Sequence, residues 1–167
     1  MEVDRKGTLE MTIEQRIVDA GIDIPAYNPL PDHLPFQLFT RSGNTLYLSG
    51  HIPDTPGMEP IRGRLGDEVD IDTGREAARR VALNLLATLK HASGGLDAVA
   101  RILKLTGFVA SAPDFTQQPE VVNAASEIFV AAWGPEGLHA RSAIGVAQLP
   151  LGVPVEIELI AELRGES

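Results

Sequence analysis

Eleven residues near the end of the chain, VPVEIELIAEL (Val153–Leu163), leave little freedom in how they fold. Val153, Val155, Ile157, Leu159, Ala161 and Leu163 are all apolar, while Glu156, Glu158 and Glu162 fall on the alternate positions. Period-two alternation of this kind is a β-strand with one face on a core and the other carrying acids. The preceding stretch, HARSAIGVAQLP, reads as a second strand over Arg141–Leu149, with Arg141 near its start and no acid within several positions. Its alternation puts Arg141, Ala143, Gly145 and Ala147 on one face, and Ser142, Ile144, Val146 and Gln148 on the other. The bulkier Ile144 and Val146 are expected to face the core, which sets Arg141 on the side of the glutamates. A hairpin centred near Leu151 pairs Arg141 with a residue around position 161 and leaves Glu156 roughly 17 Å along the strand. On that geometry the two could meet across subunits.

The rest of the chain supplies the other layer. DTGREAARRVALNLLATLKHASGG is the clearest helix: Ala78, Val81, Ala82, Leu85 and Leu89 form one apolar face, Asp72 or Thr73 caps the start, and Gly94 or Gly95 ends it. QPEVVNAASEIFVAAWG is a second amphipathic helix with Pro119 in its first turn and Gly134 after its end. FQLFTRSGNTLYLSG reads as a hairpin turning at Ser-Gly-Asn, and ARILKLTGFVAS as a further strand. Residues 51–70 form a Gly/Pro-rich loop, and IPAYNPLPDHLP is a proline-punctuated extended segment. Residues 1–11 read as a loose tail. From residue 12 to 167 the chain reads as one domain, opened by a short helix over about 12–20 with Thr12 as N-cap and Gly21 at its end. The order β-β-α-β-α-β-β predicts an α+β layer fold in which two long helices cover one face of a sheet.

Composition narrows the function classes. The chain has 167 residues, 44% of them hydrophobic, which suits a single core. A net charge of −9 and the lack of a clustered basic track disfavour nucleic-acid binding. No apolar run approaches the length that crosses a bilayer, and the first residues lack the apolar core of a signal peptide. With no cysteine in the chain, the expectation is a cytoplasmic protein without disulfides or thiolate metal sites. No pair of histidines has metal-ligand spacing, so no metal is expected. Phosphate-loop and nucleophile-elbow patterns are also missing.

LYLSGHIP, GFVASAPDF, VVNAASEIF and HARSAIGVAQLPLGVPVEIELIAEL resemble the RidA/YjgF family, the reactive-intermediate deaminases also labelled L-PSP endoribonucleases. The resemblance runs from about Ile13 to Leu163, and the extra N-terminal helix is similar to a longer branch of the superfamily. It implies a chorismate-mutase-like fold and a homotrimer whose sheets line a central barrel, with three intersubunit clefts. It also implies hydrolysis of enamines or imines to 2-oxo acids and ammonia, with no cofactor, because the substrate already carries the electrophile. On the same resemblance Arg141 clamps the substrate carboxylate, Glu156 positions the hydrolytic water, Gly50 and Ala143 offer backbone N–H groups, and Asn123 lines the cleft. Three positions depart from the family's usual wording. Phe36 stands where a tyrosine is common, Ala143 where many deaminases have cysteine, and His51 at the cleft mouth where glutamine is usual.

Blander roles compete for these residues. Arg141 could be half of a structural ion pair, with Glu156, Glu158 or Glu162 as its partner. His51 reads as a solvated loop residue or as an acid/base group, and His139 is expected to point the same way as Arg141. Asn123 could cap a neighbouring loop. A non-catalytic trimer that binds or senses 2-oxo or aromatic acids is the alternative, and Phe36 favours it.

Overall fold

The computed structural model describes residues 11–165, so residues 1–10 of the expected tail lie outside the described residues. The chain opens with α1 (Ile13–Asp19), which begins in a capping box: Thr12 Oγ1 accepts from the Gln15 N–H, and Gln15 Oε1 accepts from the Thr12 N–H. The hairpin β1 (Phe39–Ser42) and β2 (Thr45–His51) turns through Gly43 and Asn44, as expected. Next come α2 (Ile71–Ser93), β3 (Val99–Ala110), α3 (Gln118–Trp133), β4 (Ala140–Val146) and β5 (Val155–Leu163). Asp70, ahead of the two expected candidates, is the N-cap of α2, where its Oδ1 accepts from the Thr73 N–H at 2.8 Å. Gly94 closes that helix at φ 76°, a left-handed conformation that glycine adopts without strain.

The five strands form one sheet in the order β1-β2-β5-β3-β4, and α2 and α3 pack side by side over one face. The core lies between these layers. The predicted apolar face of α2 is fully buried, as are Val155, Ile157, Leu159 and Ala161 of β5. Glu158 is exposed on the uncovered face, and Glu156 and Glu162 are partly exposed there, as the alternation required.

Two expectations about β4 are corrected. First, β4 does not pair with β5 as a hairpin. It runs parallel to β3 at the sheet edge, with Arg141 opposite Leu105, while β5 lies between β2 and β3. A strand followed by a helix of crossover length returns most readily as a parallel neighbour, and α3 is that crossover. Second, the faces of β4 are reversed. Arg141, Ala143 and Gly145 register with Leu105, Gly107 and Val109, all buried beneath the helices, whereas Ile144 is 46% exposed on the open face. Small residues are needed on the covered side because α3 lies close: a Cβ at Gly107 would strike Val122, and one at Gly145 would strike the Gln118 amide.

Candidate functional site: two half-sites on one chain

β2 departs from regular pairing at its end. Leu48 opposes Leu159 and His51 opposes Ile157, so Ser49 and Gly50 together face the single residue Glu158. This bulge turns Gly50 toward the next acid along β5: a Cβ at Gly50 would overlap the Glu156 Oε1. Phe36, Gly50, His51 and Glu156 line one cavity of about 440 Å³ beside this bulge. Glu156 is half-buried, and its burial, helped by the nearby charge of Glu158, pushes its carboxyl above the usual range.

His51 lines this cavity but is not solvated. It is 6% exposed and points to the helix layer, where Nδ1–H donates to the Ser49 carbonyl at 2.7 Å. Its Nε2 accepts from the Thr88 hydroxyl of α2 at 2.8 Å. The carbonyl accepts only, which fixes the neutral tautomer. Burial holds its pKa below the ordinary histidine value, with the Ser49 bond opposing.

The second group sits across the sheet, between β4 and α3. Arg141 Nη1 donates to Asn123 Oδ1 at 2.8 Å and to Ser126 Oγ at 3.1 Å. The Ser126 hydroxyl in turn donates to His139 Nε2 at 3.0 Å, and His139 Nδ1–H donates to the Gly137 carbonyl at 2.7 Å. His139 therefore points the same way as Arg141, as its spacing implied. Its burial lowers its pKa; the Gly137 bond opposes this and the Arg141 charge adds to it. Asn123 is held by Arg141 and caps no loop among the described residues. Ala143 lies beside them, half-buried against the core. Ser126 was missed by sequence reasoning, although its i, i+3 spacing from Asn123 puts both on one helix face.

No carboxylate lies within ion-pair distance of Arg141 among the described residues, and Glu162 is taken by Arg101 at 2.7 Å. The guanidinium is braced through one nitrogen by neutral oxygens. Its Nη2 and Nε carry no hydrogen bond among the described residues, which leaves a two-pronged donor edge for an external anion. Within one chain that edge cannot face Glu156: Arg141 is on the helix side of the sheet, and Glu156, registered with Phe108, is on the open side. Among the described residues no group of three or more histidines and acids could hold a metal ion, and no helix is long and apolar enough to cross a membrane.

A two-layer α+β domain with an unpaired arginine edge and a separate acidic cavity is the class the geometry defines. The sequence model of the Endoribonuclease L-PSP family matches residues 31–163, and the chain belongs to this family, the one also called RidA/YjgF. It is 42% identical over 146 residues to Protein TCP17 of Trypanosoma cruzi, which covers 86% of this chain and 89% of that one. It is 31% identical over 131 residues to a 2-iminobutanoate/2-iminopropanoate deaminase of Dermatophagoides farinae, covering 78% and 87%. Among solved structures it resembles the protein Atu1372 of Agrobacterium tumefaciens, of unknown function, at TM-score 0.82 and 39% identity over 91% of this chain and 92% of that one.

Proposed function

We propose that the protein is a cytoplasmic homotrimer that hydrolyses reactive enamines and imines of small carboxylates in clefts between subunits. One observation carries this reading: a free arginine edge and a carboxylate of raised pKa sit on opposite sides of the sheet, so that a second copy is needed to complete a site. In such a cleft Arg141 of one subunit clamps the carboxylate, and Ser126 and Asn123 hold the guanidinium in place. Glu156 of the neighbour takes a proton from a water as its oxygen bonds to the C=N carbon. The proton then passes to the nitrogen and gives the carbinolamine. Glu156 next moves the hydroxyl proton to the nitrogen as the C–N bond breaks and the C=O bond forms, and the 2-oxo acid and ammonia leave. Enamines enter after protonation at carbon gives the imine. Gly50 and Ala143 backbone N–H groups add donors for the carboxylate. The named deaminase among the relatives and the family match support the chemistry.

The alternative is a carboxylate-binding or sensing protein on the same scaffold. Phe36 supports it, being 53% exposed at the cavity with no hydroxyl to offer. The discriminating experiment follows the decay of 2-iminobutanoate or 2-aminoacrylate generated in situ. Wild type should accelerate decay and Arg141→Ala should lose roughly 100-fold in kcat/KM, the scale of a charged bidentate contact. Equal rates for the two proteins would sink the catalytic reading, and micromolar 2-oxo acid binding without turnover would establish the alternative.

A further inference from the structure

The family match begins at residue 31, yet the cavity that holds Glu156 is walled in part by residues that precede it. Ala26, Asn28, Pro29 and Leu30 lie along that wall. This segment is fixed to the body at several points. Ile22 and Ile24 pack on the core, and the Tyr27 ring stacks on His91 of α2 at 3.9 Å and 4°. Pro25, Pro29 and Pro31 restrict the backbone to extended conformations between these anchors. The wall is therefore preorganised before any ligand arrives.

The chemistry inside is lopsided. Leu30, Phe36, Leu38, Ile52 and Ala87 give apolar surface, and among the described residues no lysine or arginine lines the cavity. Its polar groups are largely committed to one another. The Asn84 amide donates to the Ile52 and Asp54 carbonyls, His51 is paired with Thr88, and the Asp54 carboxylate is held by both Nη atoms of Arg62 at 2.7 Å. Glu156 is left as the charged lining group with no ion-pair partner among the described residues. A phosphate or a second carboxylate would meet no cation here. An apolar body would meet a largely apolar wall, with one carboxylate at the end where the reacting carbon would sit. A volume of about 440 Å³ falls in the range of small-molecule pockets and far exceeds what a three-carbon acid fills.

We infer that the segment Ala26–Pro31 makes this site selective for 2-imino and 2-enamino acids with large apolar side chains, branched-aliphatic or aromatic, over those of alanine size. The inference rests on the reading above for the reaction and on the cavity for the specificity. Each buried methylene is worth about fourfold in affinity, so three extra carbons give a preference of at least about tenfold.

The test uses the full-length protein and two readouts. Turnover is compared for 2-iminopropanoate and 4-methyl-2-iminopentanoate generated in situ, and calorimetry compares pyruvate with 4-methyl-2-oxopentanoate. Wild type should favour the larger member of each pair at least about tenfold. Leu30→Ser should narrow that ratio severalfold, and Ala87→Leu, which fills the cavity from α2, should invert it. Melting curves confirm that each variant is folded, and the two variants act on the cavity in opposite ways. Equal treatment of small and large members by wild type overturns the inference and leaves the deaminase reading standing if both imines are consumed. Preferential binding of the larger acid with turnover of neither imine overturns the deaminase reading and keeps the specificity. Ratios that neither variant moves remove the role of the segment.

Discussion

Glu156 and Arg141 are half-buried charges with no partner of opposite sign among the described residues, and each pays for that position differently. Burial and the nearby Glu158 raise the pKa of Glu156 above its ordinary value of 4.5, so the folded state takes up its proton more readily than the unfolded chain. The stability that comes from this group is fully present below 4.5 and is lost as pH rises through the raised value. Glu156→Gln should therefore melt higher than wild type at pH 7.5, with the gap closing below pH 4.5 and with activity lost. Thermal scans at several pH values read this directly. His51 and His139 run the other way. Their pKa values are lowered, so the stability of the neutral rings is present above 6.5 and is lost as pH falls through the lowered values. Arg141 was legible in the sequence as a charge with no acid near it in its strand. Its bracing by Ser126 was not, because that contact spans fifteen residues and two elements.

The bulge in β2 shows what an element contributes beyond its pairing. Gly50→Ala would place a methyl group against the end of the Glu156 side chain, which is flexible and can swing aside. The expected result is a folded protein with a melting temperature close to wild type and a kcat/KM lowered by roughly 100-fold, the scale of a misplaced catalytic group. Activity and melting measured on the same preparation would check both halves. The alternation of β5 could be read in the sequence because period two depends only on local spacing, and the helix faces were readable for the same reason. The reversal of β4 was not. Ranking residues by size predicts that Ile144 is buried, but the approach of α3 decides the matter, and glycines at 107 and 145 are its only trace. Likewise, the hairpin expectation followed chain proximity, whereas α3 as a crossover demanded a parallel return. The connection after β4 then passes over the end of β3, with Ser111 N–H donating to Val146 and Ala110 N–H to Pro154.

At the scale of the whole molecule, helices cover one sheet face, while the other carries Tyr47 and Ile144, 44% and 46% exposed, beside the glutamates. On the proposed trimer this is the face that subunits share. Ile144→Glu should shift the protein toward monomer in sedimentation velocity and lower activity in parallel, since a lone chain holds only halves of a site. The layer order and the bare face could be read from element order and alternation. The assembly itself rests on no contact within a single chain, which is why it enters through the resemblance and the split site. That split has a genetic consequence. If Arg141 and Glu156 of one cleft come from different subunits, two inactive proteins can complement each other. Arg141→Ala and Glu156→Gln chains, refolded together in equal amounts, should regain about a quarter of wild-type activity, because that fraction of clefts draws an intact residue from each side. On the proposed deaminase reading, a cell carrying the two defective alleles together would thus clear imines where either allele alone does not.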